Sequence, residues 1–279
     1  MTTKEPNEII QDPQLKVAMN GLQKTFDDFE KRKAYQLSFP WAETSRGIPN
    51  ELVRSALFSG IRSEGQHADH LRDVVVFSQS GFTIRYTGYR LDQTHLDIFS
   101  EIMHIARGKP EGSKITFTGY ELLKGMGRHK GKYEYDWLVK KLQDITATSV
   151  LIEKDGRRLF WTSLLPKGNV DLEKDLYTVE ISKELCKLFD RGFTLIEWEQ
   201  RAALRRKPLA QHLHLWILSH EKPIPVTIEY LKNLTGSQTK QAKHFKEKVK
   251  KALDEIKKVG TISEWIIDEN DKVHIKRIA

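Results

Sequence analysis

The 279-residue chain has a single cysteine, Cys186, so no disulfide can form within it. No cysteine and histidine set with zinc-binding spacing occurs either. Long apolar runs are also missing. Charged residues make up 30% of the chain, and no segment approaches the roughly 20 apolar residues needed to cross a bilayer. The opening Met1-Thr2-Thr3-Lys4-Glu5-Pro6 lacks the apolar core of a secretion signal. There is no glycine-rich phosphate loop and no serine–histidine–aspartate signature. These absences lead to the expectation of a cytoplasmic protein with no cofactor and no bound metal. The net charge of +8 favours an anionic partner, nucleic acid before an anionic membrane surface.

What is present is a repeated plan. One copy runs from Ile115 to Leu165 and the other from Val226 to Ile278. Each opens on a short apolar strand and a threonine, Thr118 or Thr227. A short helix follows, stopped at Gly127 or Gly236, then a longer helix, then two β-rich runs around a polar turn. Laying Thr118 on Thr227 also lays Leu122 on Leu231 and Gly127 on Gly236. A shift two residues larger lays Leu138 on Val249, Leu142 on Leu253 and Ile145 on Ile256. Strand, helix, turn, longer helix and hairpin describe a winged helix-turn-helix. The fold class expected is therefore α+β, with two tandem winged helix-turn-helix domains behind a short helical or disordered N-terminal segment.

The boundaries expected are 1–45, 46–193 and 194–279. Residues 1–13 are polar, with Pro6 and Pro13, and read as disordered. Leu15, Met19, Leu22, Phe26 and Phe29 then alternate in steps of four and three, the apolar stripe of an amphipathic helix that needs a partner. Ser45–Asn50, with Gly47 and Pro49, reads as a linker. The next domain contains strands at Val74–Ser78 and Phe82–Thr87 and a helix at Thr94–Ala106. Its wing is expected at Val150–Glu153 and Leu159–Leu165, around the turn Asp155-Gly156. Leu195–Arg206 reads as a helical connector, and Pro208 suits the first turn of the next helix.

The longer helix of the second copy, read as Ser237–Val259 with Ser237 as its cap, carries the strongest DNA signal. Ala242, Phe245, Val249, Ala252, Leu253 and Ile256 share one face. Between Ser237 and Lys258 there are eight lysines against three acids. Thr239, Lys240, Lys243, His244 and Glu247 are assigned to base edges, because lysine serves guanine acceptors and glutamate accepts from cytosine. Lys250 and Lys251 lie further along and suit phosphates. In the first copy the phosphate set is Arg128, Lys130, Lys132, Lys140 and Lys141, with Arg157 and Arg158 on the wing. Two readings stand for Trp137: contact with a thymine methyl or sugar, or packing beneath the wing. The acidic tip Asp268-Glu269-Asn270-Asp271 is expected to turn away from phosphate.

His212-Leu213-His214 imitates the histidine pair of metal-dependent nicking enzymes. On a helix, residues two apart point about 200° away from each other and cannot share one ion. A nicking enzyme using His212, His214 and Tyr230 is therefore the disfavoured alternative, and a transcription repressor is the rival within the binding class.

Pro40-Trp41, Pro49-Asn50, Arg54-Ser55-Ala56-Leu57-Phe58, Tyr86-Thr87-Gly88, Ile115-Thr116-Phe117 with Tyr120-Glu121-Leu122, and Ser219-His220-Glu221-Lys222-Pro223 together resemble the TrfA family of plasmid replication initiators. The resemblance covers roughly Gln36 to Arg277. It implies two winged-helix domains on direct repeats of a plasmid origin, opening of adjacent AT-rich DNA with possible contact to the single strand, recruitment of the host replicative helicase, and exchange between monomer and dimer. Gln36-Leu37-Ser38-Phe39 resembles the family's sliding-clamp-binding peptide. The same four residues also read as the end of the N-terminal helix packing on its own domain.

Overall fold

The computed structural model describes residues 41–278, except 64–68, 77, 79–80 and 110–112. The stripe from Leu15 to Phe29 and the peptide Gln36–Phe39 lie outside the described residues.

In chain order, β1 (Ser45–Pro49), α1 (Asn50–Val53), β2 (Phe58–Ser59), β3 (His70–Val76), β4 (Phe82–Tyr89), β5 (Leu91–Asp92) and α2 (Gln93–Ile105) come first. β6 (Lys114–Thr118), α3 (Gly119–Gly125), α4 (Lys132–Thr146), β7 (Ser149–Lys154), β8 (Arg157–Thr162), β9 (Lys167–Asp171) and β10 (Leu176–Glu180) follow. Then come α5 (Lys183–Phe189), β11 (Phe193–Glu197), α6 (Trp198–Ala203) and α7 (Pro208–Leu218). The chain ends on β12 (Val226–Thr227), α8 (Ile228–Leu234), α9 (Ala242–Lys258), β13 (Ile262–Ile267) and β14 (Lys272–Arg277).

Two units share one plan, and local chemistry explains each boundary. Thr118 accepts the Glu121 amide at 3.0 Å and starts α3, while Thr227 accepts the Tyr230 amide at 3.1 Å and starts α8. Gly127 and Gly236 end these helices with φ of 62° and 64°, a conformation that glycine adopts without strain. In both, the following amide reaches back five residues: Arg128 to the Leu123 carbonyl and Ser237 to the Lys232 carbonyl, each at the distance of an ordinary hydrogen bond. The three-stranded sheets match as well, with orders β6–β10–β9 and β12–β14–β13.

That match changes which hairpin closes the first unit. The Asp155-Gly156 hairpin exists, but β7 pairs with β4, giving a separate four-stranded sheet in the order β3–β4–β7–β8. The hairpin equivalent to β13–β14 is β9–β10, whose Tyr177 pairs with Phe117 just as Val273 pairs with Val226. The β7–β8 hairpin is thus an insertion between the long helix and the β9–β10 hairpin of the first unit.

Two further expectations fail. Ser45–Asn50 is not a linker, because residues 45–49 form β1, buried throughout and antiparallel to β11. A Cβ on Gly47 would come within 2.5 Å of the Trp41 ring, so this glycine makes room for an indole rather than a flexible joint. The segment expected as a helical connector from Leu195 begins instead inside β11 and becomes helical only in α6.

Two apolar cores result. The larger is built from residues between Trp41 and Ile196, and includes Leu215 of α7. The smaller draws on Leu204, Trp216, Leu231, Phe245, Val249, Leu253 and Val273. Each fully buried aliphatic side chain of this kind contributes ~1.5–3 kcal/mol. Between the cores lies a polar hub. Arg201 of α6, almost wholly buried, donates to Asp97 of α2 at 2.7 Å, to the Gln93 side chain at 2.9 Å and to the Gln211 carbonyl at 3.0 Å.

Candidate nucleic-acid interface

α9 owes its orientation to its inner face. Phe245, Val249, Ala252, Leu253 and Ile256 are buried, so Lys243, His244, Glu247 and Lys251 project to solvent. Lys250 is half-buried and reaches Glu247 at 2.8 Å. That hydrogen bond, with the charges of Lys250, Lys246 and Lys251, holds the Glu247 carboxyl below the usual glutamate range. Glu247 is therefore an acceptor at neutral pH, but it must exchange its lysine partner to meet a base.

The helix starts later than the sequence suggests. Its N-cap is Gln241, which makes no side-chain capping bond, and Ala242 is exposed rather than buried. Thr239 and Lys240 belong to the preceding turn, where the Thr239 amide donates to Ser237 Oγ at 3.3 Å and the Lys248 ammonium donates to Thr239 Oγ1 at 3.2 Å. Ser237 thus shapes the turn and does not cap the helix. Lys240 is exposed there.

The acidic tip behind α9 is folded onto itself. Asp268 accepts the amides of Asn270 and Lys272 at 2.9 Å, and His274 Nε2 lies 2.8 Å from it. Asp271 is held by Lys246 of α9. These bonds satisfy the negative charge locally, which reduces its repulsion of a nearby polyanion.

On α4, Leu138, Leu142 and Ile145 point inward. Lys130, Lys132 and Lys140 are exposed, and Tyr133 is 75% exposed. Arg128 is half-buried: it donates to Glu134 at 2.6 Å and its guanidinium lies 3.7 Å from the Trp137 ring centroid. That contact half-covers Trp137 from the side of the turn. Lys141 departs from expectation. It is only 6% exposed and its ammonium sits 3.4 Å from His95 Nε2, beside Asp144, so it serves the interior and not a phosphate. Arg157 and Arg158 are exposed, but on β8 of the inserted sheet rather than on the β9–β10 hairpin that closes the unit.

His212 and His214 face opposite ways on α7. His212 Nδ1 lies 3.0 Å from the Phe58 carbonyl, and His214 Nε2 lies 2.8 Å from Thr261 Oγ1. Burial pushes them down to about 4 and about 3, with the Arg201 charge adding to both. Tyr230 packs 6.2 Å from Trp216, and burial pushes its phenol up to about 12. Among the described residues, no group of three or more histidine, cysteine or acidic side chains is placed to hold a metal. No helix among them is long and apolar enough to cross a membrane.

Nothing in the periodicity of the chain singles out Arg62, Arg205 and Arg206, which converge on a cleft beside α4. Their one trace is the basic run Arg205-Arg206-Lys207 ahead of Pro208.

The family model of the TrfA protein matches residues 20–277. The chain belongs to the TrfA family. The plasmid replication initiator protein TrfA of Escherichia coli is 32% identical over 260 residues, covering 88% of this chain and 66% of that protein. This TrfA-family chain thus matches just under two thirds of that relative's length. The crystal structure of the Pi initiator protein in complex with iteron DNA matches at a TM-score of 0.50 and 13% identity, over 65% of this chain and 91% of that one. Domains 2 and 3 of RctB match at 0.48 and 14%, over 73% and 90%. The Pi likeness shows a shared mixed α+β fold.

Proposed function

We propose that this TrfA-family chain is a plasmid replication initiator that binds direct repeats in an origin through two winged helix-turn-helix domains. The observation that carries the reading is α9 itself. Its apolar face is buried in a strand–helix–helix–hairpin unit, and its opposite face offers Lys243, His244, Glu247 and Lys251 to solvent. A second unit of the same plan is tied to it by the Arg201 hub, so one chain presents two helices to successive stretches of duplex. The E. coli relative is named as a plasmid replication initiator, and the Pi protein of similar fold was crystallised on iteron DNA; both support the assignment.

In this reading α9 enters the major groove, with Lys243, His244 and Glu247 on base edges and Thr239 and Lys240 at the groove's lip. Lys250 and Lys251 hold phosphates. α4 grips the neighbouring turn through Lys130, Lys132 and Lys140, and Arg128 supports it from its place on Trp137. Binding to several repeats opens adjacent AT-rich DNA in the cytoplasm, and the N-terminal segment with Gln36–Phe39 recruits the helicase and the sliding clamp. The protein acts without catalysis. His212 and His214 are engaged with different units, and a phenol pushed up to about 12 is a poor nucleophile at neutral pH.

Supercoiled origin plasmid provides the test. With protein and magnesium or manganese, the AT-rich tract becomes reactive to permanganate while the plasmid stays unnicked. A metal-dependent nick that disappears in Tyr230→Phe, or an unreactive tract at saturating protein, would overturn this function.

A further inference from the structure

Beside α4 lies a cleft of about 360 Å³, open between the two units. Its walls bring together parts far apart in sequence: Arg62 after β2, the Gly127-Arg128-His129 turn, Tyr133 and Trp137 of α4, and Arg205 and Arg206 ahead of α7. Three carboxylates also line it, and each already has a cation or amides. Asp92 is bonded to His95 and to the Ser63 amide, both at 2.8 Å. Asp97 is bonded to Arg201 at 2.7 Å, and Glu134 to Arg128 at 2.6 Å.

The remaining guanidiniums make no such direct bond, although the Arg205 charge also acts on Asp97. Arg62, Arg205 and Arg206 make no salt bridge among the described residues. Arg205 is fixed in place by donating to the carbonyls of Met126 at 2.8 Å and Gly127 at 3.0 Å, at the end of α3. Arg62 reaches the Arg206 carbonyl at 3.3 Å. Arg206 holds a left-handed backbone, φ 67°, a conformation strained for a residue with a Cβ. The next residue, Lys207, is paired with Glu255 of α9. The arginines therefore stand on the path from the exposed start of α4 to α9.

We propose that this cleft binds a backbone phosphate of nucleic acid, contributed by the stretch of duplex lying between the two reading helices. The proposal rests on the duplex-binding function above. Guanidinium groups suit a phosphodiester because their planar fork of donors matches its oxygens. The fixed turn at Gly127 holds the group close to α4, so the cleft sets the spacing at which both helices engage.

The test uses a fluorescent mixed-sequence duplex of about 30 base pairs, long enough for two groove contacts one to two turns apart, titrated between about 50 and 200 mM salt. The double variant R62A/R206A is expected to bind about tenfold more weakly at low salt, with a salt slope shallower by about one unit. R62K/R206K keeps the wild-type slope, which separates lost charge from misfolding. A wild-type slope and affinity in R62A/R206A overturns the cleft while leaving the duplex-binding function standing. Failure of the wild-type protein to bind any duplex overturns both. In a second arm, pyrophosphate or ATP is expected to leave the melting temperature unchanged. Stabilisation that R62A/R206A abolishes would assign the cleft to a free phosphate ligand and contradict the proposal.

Discussion

Asp175 and Asp271 occupy the same place in the two units. Each is the last residue of a hairpin turn, each has a left-handed backbone with φ of 50° and 55°, and each closes the hairpin onto the start of the short helix. The Asp175 carboxylate accepts the amides of Gly119 and Tyr120 at 3.0 and 3.1 Å. Asp271 does the corresponding work with its carbonyl, which accepts the Ile228 amide at 2.9 Å. One geometry has two chemical solutions, and they fail differently. Asp175→Ala should lower stability by ~1–2 kcal/mol through loss of the cap. Asp271→Ala should cost less at that cap, because its backbone bond survives. Urea unfolding of the two variants measures the difference, and equal losses would refute it.

The repeat was legible because caps and stops are local. Thr118 with Glu121, Thr227, Gly127 and Gly236 announce themselves within a few residues, and the inward faces of α4 and α9 follow from helical periodicity. Strand partners are not local. Asp155 and Gly156, with φ of 49° and 76°, form a turn that any reading of the sequence will notice. Nothing in that turn says that β7 pairs with β4 rather than with β6. Lys141 is a similar case. Its position on α4 borders both faces, and only packing against His95 of α2 decides that it turns inward. The cleft arginines come from two loops more than 140 residues apart, so beyond the short run Arg205-Arg206-Lys207 their convergence has no sequence signature.

Lys140 and Lys141 are adjacent yet should behave oppositely. Lys140→Ala should leave stability within about 0.5 kcal/mol and flatten the salt dependence of duplex binding by roughly one unit. Lys141→Ala should cost on the order of 2 kcal/mol by leaving buried acidic neighbours without their cation, with the salt dependence unchanged. Thermal melts and anisotropy titrations on both variants check this pair.

Arg201 should be among the most sensitive positions. Arg201→Met leaves the half-buried Asp97 without its bonded cation, a change that costs on the order of 3 kcal/mol. Burial already pushes the Asp97 carboxyl above the usual aspartate range, with Arg201 opposing it. Removing that opposition drives Asp97 towards the neutral form. Adding Asp97→Leu to Arg201→Met should recover much of the loss, and a double variant as unstable as the single one would contradict this assignment.

Acid should destabilise the fold through His212 and His214. Both are held down, to about 4 and about 3, whereas the unfolded chain takes up these protons near 6.5. Above 6.5 neither state is protonated and the stability is complete. As pH falls from 6.5 towards 4, the unfolded state gains protons that the folded state refuses, so stability is lost. Each histidine contributes up to about 1.4 kcal/mol per pH unit. Unfolding free energies measured across this window should show a slope that His214→Gln reduces by about half; an unchanged slope would place the acid sensitivity elsewhere.

α9 is proposed to read bases in repeated origin DNA. Base reading is decided by the affinity for a direct repeat of about 20 base pairs from the plasmid's own origin, against a shuffled duplex of equal length and at the same salt. Wild-type protein should prefer the repeat by about a thousandfold or more. Lys243→Ala, His244→Ala and Glu247→Ala should each cost ~1–3 kcal/mol on the repeat and much less on the shuffled duplex. Equal affinity for both duplexes, or equal losses on both from all three variants, would show that α9 does not read bases.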